Sequence, residues 1–113
     1  MKNESMEKFG LKKETIQSIY SVFENHPNIE KSILHGSRAK GNFKIGSDID
    51  LSLFGEKLTL SELLKIENEL DDLMLPYKID LSIFHKIENE NLADHIRRIG
   101  KEFYSSIQSV EKE

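Results

Sequence analysis

The most informative stretch of the chain is residues 36–50, which read Gly-Ser-Arg-Ala-Lys-Gly-Asn-Phe-Lys-Ile-Gly-Ser-Asp-Ile-Asp. It opens with a small Gly-Ser turn and closes with two carboxylates, Asp48 and Asp50, that are one residue apart. If residues 49–54 form a strand, side chains alternate across the sheet, so both carboxylates project from one face and the apolar side chains from the other. Two acids on one face of a strand can bind a divalent cation.

A later stretch nearly repeats this strand. Residues 49–54 read Ile-Asp-Leu-Ser-Leu-Phe and residues 79–84 read Ile-Asp-Leu-Ser-Ile-Phe, with an Asp near the start of each. The segment between them is long enough for a helical crossover, which lays two strands side by side in parallel. Parallel strands have their starts together, so we expect Asp80 to lie beside Asp48 and Asp50.

Each of these features has an ordinary interpretation when it is taken alone. A Gly-Ser pair is usually only a turn, and an Asp-x-Asp at a strand start is more often a solvated edge or a cap than a metal site. Three converging carboxylates are different, because like charges at close range repel each other unless a cation is bound. Their conjunction therefore favours a metal site.

The strand that precedes the Gly-Ser turn is predicted to complete the site. Residues 29–35 run directly into Gly36 and Ser37, and an antiparallel pairing with the Asp48 strand would place the turn beside the carboxylates. Free backbone N–H groups in such a turn can bind phosphate. A helical turn over residues 38–40 would point its N-terminus at the same place, which favours an anion.

The remaining elements follow from hydrophobic periodicity and from helix start and stop signals. We expect an amphipathic helix from Leu11 to the His26-Pro27 stop, a crossover helix from the Thr59-x-x-Glu62 capping box to Pro76, a strand over residues 77–84, and a last helix from near Asn89 through Phe103 and Ile107. This order predicts an α+β fold with a small mixed sheet of about three strands and helices packed on it.

Length and composition limit the function classes. With 113 residues we expect a single domain over residues 1–113, with loose ends at 1–10 and 109–113. The net charge of -4 and the scattered basic residues argue against direct, sequence-independent nucleic-acid binding. The absence of cysteine excludes disulfides and Cys-ligated metals. No leader-like or membrane-spanning pattern is present, so we expect a cytoplasmic protein without a membrane partner.

A family resemblance rests on these same residues. Gly36-Ser37, ten intervening residues, Asp48-x-Asp50 and the later Asp80 resemble the signature of the DNA polymerase beta-type nucleotidyltransferase superfamily. The small size resembles the minimal nucleotidyltransferases (MNT) that form the antitoxin half of HEPN/MNT toxin–antitoxin pairs. The resemblance implies transfer of a nucleoside monophosphate from an NTP with release of pyrophosphate.

The resemblance also implies roles for the acids. Asp48 and Asp50 would hold Mg²⁺, and Asp80 would hold a second ion and help to deprotonate the incoming nucleophile.

Four further residues receive a nucleotide-binding role by resemblance. Gly36, through its backbone, and Ser37 would bind the β- and γ-phosphates, while Arg38 or Lys40 would neutralise their charge. Lys44 is a weaker candidate for the same role.

One position departs from the family pattern. An apolar aromatic commonly precedes the Gly-Ser, whereas this chain has His35, which we interpret as a polar-tipped aromatic that fills the same pocket. His26, His85 and His95 show no metal-ligand spacing and are interpreted as ordinary surface or boundary residues. Phe43 is interpreted as an ordinary loop anchor.

The functional prediction is an ATP- and Mg²⁺-dependent antitoxin that transfers AMP to a partner HEPN ribonuclease toxin, on tyrosine, and so silences it. One alternative is an antitoxin that neutralises the toxin by binding alone. Another is nucleotidyl transfer to a small molecule such as an antibiotic, although such enzymes typically carry a further acceptor domain. No base-recognising pocket is visible in the sequence, so the choice of NTP rests on resemblance.

Overall fold

The structure is a computed structural model that describes residues 8–106. In chain order its elements are α1 (Lys13–Glu24), β1 (Lys31–His35), the short helix α2 (Gly36–Lys40), β2 (Ile49–Phe54), α3 (Leu60–Asp71), β3 (Ile79–Ile83), a 3₁₀ turn (Phe84–Lys86), α4 (Glu90–Ile99) and β4 (Lys101–Ser105). Among these residues, none of the helices has the length and apolar character that a bilayer span requires.

The strands form one mixed sheet in the order β3-β2-β1-β4. β2 pairs antiparallel with β1 and parallel with β3, and α3 makes the crossover between the two parallel strands. Both predicted pairings are therefore confirmed. The register sets His35 opposite Asp50 on one side of β2 and Asp80 opposite Asp50 on the other.

The main core lies between one face of the sheet and the helices α1 and α3. Ile49, Leu51 and Leu53 of β2 are completely buried there, as their alternation with the carboxylates predicts. Each such side chain contributes about 2 kcal/mol by leaving water. This burial fixes the register, because a slip of one residue would turn the carboxylates into the core.

The fourth strand corrects the prediction for the last helix. That helix begins as expected, with the Asn89 side chain accepting a hydrogen bond from the Leu92 backbone N–H, but it ends at Ile99 instead of continuing through Phe103. Residues 101–105 form β4, which pairs with β1. The prediction for Ile107 falls outside the described residues.

Gly100 and the open edge of β1 explain this difference. Gly100 has extended backbone angles and lies so close to the carbonyl of Ile96 and to Ile33 that an added Cβ would overlap both. Phe103 is 3% exposed and contacts Tyr20, whose hydroxyl donates a hydrogen bond to the Phe103 carbonyl. Phe103 is therefore a core residue, as its spacing suggested, but it reaches the core from a strand.

The region around His26 also differs from its sequence interpretation as an ordinary surface or boundary residue. Its side chain is buried, with Nδ1 2.9 Å from Glu62 and Nε2 2.9 Å from Glu69. Ionised carboxylates only accept hydrogen bonds, so when both glutamates are ionised the two contacts require both ring nitrogens to donate, as only an imidazolium can. Burial lowers the pKa of His26, but the bonds and charges of the two glutamates outweigh it and leave that pKa above 6.5.

The structure describes only residues 8–10 of the expected loose ends. Residues 8–10 belong to the ordered domain rather than to a loose end, because Lys8 and Leu11 exchange backbone hydrogen bonds of 3.1 and 2.9 Å and Phe9 packs against the core. The remaining parts of the expected loose ends, residues 1–7 and 109–113, fall outside the described residues.

Candidate active site

The three predicted acids lie at one edge of the sheet, where β2 and β3 both begin. Asp50 and Asp80 are register partners on neighbouring parallel strands, and Asp48 lies in the loop directly before β2, near enough for its charge to raise the pKa of Asp50. Asp48 and Asp80 are exposed, and Asp50 is half-buried. Parallel pairing therefore brings together carboxylates that are thirty positions apart in the chain.

The acids repel one another electrostatically. Burial raises the pKa of Asp50 above its usual value, and the negative charges of Asp80 and Asp48 raise it further, while Lys78 opposes them. Lys78 was not a sequence candidate, although its place two residues before Asp80 puts both side chains on one face of an extended chain. A bound cation would relieve this repulsion.

The acids form an open site rather than a closed cage. Across residues 8–106, no three His, Asp or Glu side chains are arranged as a ready-made metal cluster. Mg²⁺ does not need one, because it prefers oxygen ligands and is commonly held by one or two carboxylates together with waters and substrate phosphates. The all-carboxylate donor set of Asp48, Asp50 and Asp80 therefore fits Mg²⁺ bound together with a nucleotide.

Gly36 brings the Gly-Ser turn against the acids. Its φ is +74°, a left-handed conformation that glycine adopts without strain. A Cβ at this position would overlap Oδ2 of Asp50 and lie 3.3 Å from its carboxyl carbon. The turn thus adjoins the carboxylates, as predicted, and its glycine is the residue that permits the approach.

The expected phosphate ligands divide into two groups. Lys40 and Lys44 are exposed, and Ser37 is half-buried at the start of α2. Arg38, in contrast, is only 2% exposed and its guanidinium already donates to two backbone carbonyls, those of Phe9 and Ser47. The structure therefore groups the two lysines and Ser37 as accessible residues, and it gives Arg38 internal partners. The nucleotide-binding roles of Gly36, Ser37, Arg38 and Lys40, and the weaker candidacy of Lys44, stay predictions.

His35 sits beside the acids at the end of β1. Its Nε2 is buried and has no hydrogen-bond partner within residues 8–106, and its ring lies edge-on to that of His95 with centroids 6.3 Å apart. Burial lowers the pKa of His35, the nearby His95 lowers it further and Asp80 opposes them. A half-buried ring whose charged form is disfavoured agrees with the interpretation of a polar-tipped aromatic. The contact with His95, from α4, carried no sequence signal.

The fold and the sequence pattern together define the class. The sequence profile of the polymerase beta nucleotidyltransferase family matches residues 17–109, and the chain belongs to this family. No curated protein sequence matches the chain.

Solved structures with the same fold include toxin–antitoxin complexes. One was crystallised with AMP-PNP and has a TM-score of 0.66. It is 19% identical to this chain, and the match covers 86% of this chain and 78% of the chain in that structure. A second contains a tri-AMPylated HEPN toxin from Shewanella oneidensis with its MNT antitoxin, and it is 18% identical over 87% and 76% of the two chains, with a TM-score of 0.61. A third, the MntA-HepT complex, is 17% identical over 87% and 76%, with a TM-score of 0.61.

Proposed function

We propose that this chain is a Mg²⁺-dependent nucleotidyltransferase that transfers AMP from ATP to a tyrosine of a partner HEPN toxin and thereby silences it. The observation that carries the proposal is the register that sets Asp50 opposite Asp80, with Gly36 leaving room for the Asp50 carboxylate beside the Gly-Ser turn. Acids and a phosphate-binding turn at one edge are the parts that metal-assisted phosphoryl transfer requires.

The choice of ATP and of a toxin acceptor is supported by the structural relatives. One of them was crystallised with AMP-PNP, and another pairs an MNT antitoxin with a tri-AMPylated HEPN toxin. The tyrosine acceptor comes from the family resemblance alone and is part of the proposal.

In the proposed reaction the tyrosine oxygen attacks the α-phosphorus of ATP. The new bond joins that oxygen to the α-phosphorus. The bond from the α-phosphorus to the oxygen that bridges it to the β-phosphorus breaks, and pyrophosphate leaves. Asp80 accepts the phenolic proton, and Asp48 and Asp50 would hold Mg²⁺. When bound, Mg²⁺ supplies charge neutralisation at the triphosphate.

The phosphate groups are assigned to the accessible side of the turn. Ser37 and the Gly36 backbone bind the β- and γ-phosphates, and Lys40 and Lys44 contribute positive charge from exposed positions. Because both lysines are exposed, their contribution falls as ionic strength rises.

A second candidate function is neutralisation by binding alone. Leu60 and Leu64 stand one helical turn apart on α3 and are 61% and 60% exposed, which gives this helix an apolar pair on its outer side. Exposed apolar pairs of this kind suit a protein partner. Such an antitoxin would form the complex without using the acids.

The test is intact-mass spectrometry of a co-encoded HEPN partner after incubation with this protein, Mg²⁺ and each of the four NTPs. We expect one or more adenylates to be added with ATP, and none when both Asp48 and Asp50 are replaced by Asn. Glu88→Gln/Glu90→Gln is the matched control, because these exposed acids have the same spacing and follow the C-terminal end of β3, whereas Asp80 lies at the start of that strand.

The outcomes separate the two functions. Modification by the wild type and by the Glu88/Glu90 control, together with its loss in the Asp48/Asp50 variant, supports catalysis. A stable complex in which the partner gains no mass, and in which the Asp48/Asp50 variant still neutralises the toxin, supports binding alone and rejects the transferase proposal.

A further inference from the structure

Arg38 is a buried cation whose hydrogen bonds are made within the protein. Its Nε and Nη2 donate to the carbonyl of Ser47 at 3.1 and 2.8 Å, and its Nη1 donates to the carbonyl of Phe9 at 2.9 Å. The rings of Phe43 and Tyr77 lie 5.1 and 5.0 Å from the guanidinium carbon. A buried charge persists only with partners of this kind, so these contacts hold the side chain in place.

Apart from Phe9, these partners come from the segments that lead to the acids. Ser47 immediately precedes Asp48, and Tyr77 stands three residues before Asp80 at the entrance to β3. Arg38 itself directly follows the Gly-Ser turn. One planar group therefore connects the phosphate-binding turn, the loop before the first acids and the entrance to the strand of the third.

A direct contact with a nucleotide phosphate would conflict with this arrangement. To reach an accessible phosphate, the guanidinium would have to leave three hydrogen bonds and two aromatic rings and would uncover the carbonyl of Ser47. Lys40 and Lys44 are exposed and need no such rearrangement.

We propose that Arg38 is a positioning residue for the transfer reaction, which holds Asp48 and Asp80 at their working separation from the Gly-Ser turn and does not bind phosphate. This inference rests on the proposed function, because the reaction it serves is the one proposed above. Its physical basis is that transfer rates depend steeply on the placement of the reacting groups.

The different chemistry of arginine and lysine allows a sharp test at position 38. A phosphate ligand that acts through charge is replaced tolerably by lysine, which remains a cation on a flexible stem. The Arg38 site instead uses a planar fork, with two N–H groups on one carbonyl and rings beside the guanidinium. Lysine cannot reproduce that geometry.

The experiment compares wild type, Arg38→Lys and Arg38→Gln by single-turnover modification of the partner over a range of ATP concentrations. For both variants we expect a rate at saturating ATP that is about 10- to 100-fold lower, with half-saturation by ATP within about threefold of wild type. Lys40→Gln is the contrast, because an accessible phosphate ligand should raise the half-saturating ATP concentration. Recovery of the saturating rate by Arg38→Lys, or a loss confined to ATP affinity, would overturn the proposal.

Hydrogen exchange gives a readout that does not depend on activity. In Arg38→Lys we expect faster amide exchange in the loop over residues 42–48 and at the start of β3, with exchange in α1 unchanged. Unchanged exchange in the loop and in β3 would contradict the positioning role even if the wild type transferred no AMP. Failure of the proposed function is thereby distinguishable from failure of this inference.

Tyr77→Leu serves if the Arg38 variants do not fold, because it removes one ring and leaves the guanidinium in place. We expect a smaller fall in the saturating rate, about threefold to tenfold, again at constant ATP half-saturation. A Tyr77→Leu protein with the wild-type rate and wild-type exchange would reject the positioning role.

Discussion

Replacing Gly36 by alanine should abolish most of the transfer activity at a modest cost in stability. The backbone at this position has φ +74°, and the added Cβ would overlap Oδ2 of Asp50. The clash falls on the end of a side chain, which can turn away, rather than on backbone. The fold should therefore survive, while Asp50, which we propose as a metal ligand, is displaced.

The magnitude has two separable parts. A left-handed conformation costs an alanine about 1 kcal/mol or somewhat more relative to glycine. Restoring ordinary contact with the new methyl group requires the Asp50 carboxylate to move by roughly 1 Å, and a misplacement of that size can cost about 100-fold in rate. We therefore expect a loss of about 1–2 kcal/mol in the free energy of unfolding and a rate about 30- to 100-fold lower.

Gly41 and Gly46 provide the matched controls. Both have φ +88°, and an added Cβ at either position meets nothing within 4 Å. Gly41→Ala and Gly46→Ala should lose the same 1–2 kcal/mol or so of stability and keep the rate within about threefold. The assays are urea unfolding and single-turnover modification of the partner by mass spectrometry. Equal activity losses in all three variants, or full activity in Gly36→Ala, would refute the argument that Gly36 makes room for Asp50.

Three other predictions concern charge and packing. The raised pKa of Asp50 means that its ionised form destabilises the fold at every pH above the pKa that Asp50 has in the unfolded chain. Without metal at pH 7.5, Asp50→Asn should therefore raise the free energy of unfolding, by at most about 1 kcal/mol after solvent screening. In thermal unfolding, the same substitution should reduce the stabilisation by Mg²⁺. The raised pKa of His26 means that its bonds to Glu62 and Glu69 stabilise the fold fully below pH 6.5 and lose that effect as pH rises through the higher pKa of the folded state. The difference in free energy of unfolding between wild type and His26→Gln should therefore be about 1–2 kcal/mol near pH 6 and shrink toward pH 9. A difference that does not change with pH would contradict the imidazolium assignment. Tyr20→Phe removes the hydrogen bond to the β4 backbone, and we expect a loss of about 1 kcal/mol with faster amide exchange in β4; unchanged exchange there would show that the bond does not hold the strand.

Much of the site was predictable because its signals are local. Alternation along β2 predicted which side chains face the core, and the repeated Ile-Asp-Leu-Ser pattern predicted that Asp80 joins Asp50, which the strand register confirms. The start of α3 was equally readable, since the Thr59 hydroxyl accepts a hydrogen bond from the Glu62 backbone N–H as the capping box requires. The alternation and the capping box each need only a few neighbouring residues, and the pairing of Asp80 with Asp50 was predicted by matching two such short patterns.

The errors have a common physical origin in long-range contacts. Phe103 follows Ile99 at a helical spacing, so periodicity extended the last helix, whereas the open edge of β1 and the close packing of Gly100 make a strand there. The exposed or buried state of His26 likewise depends on two glutamates that are more than thirty residues away.

The amino-acid sequence by itself determined the strand faces, the Gly-Ser turn and the three acids, because side-chain alternation, glycine-containing turns and helix caps are properties of neighbouring residues. Only the tertiary structure showed where the Arg38 side chain lies and what it contacts. Its place next to the turn suggested a phosphate ligand, but its burial between Phe43 and Tyr77 gives it internal partners. A guanidinium can be buried only where carbonyls and aromatic rings surround it. Here they come from segments that are distant in the chain, so they surround Arg38 only after the sheet has formed.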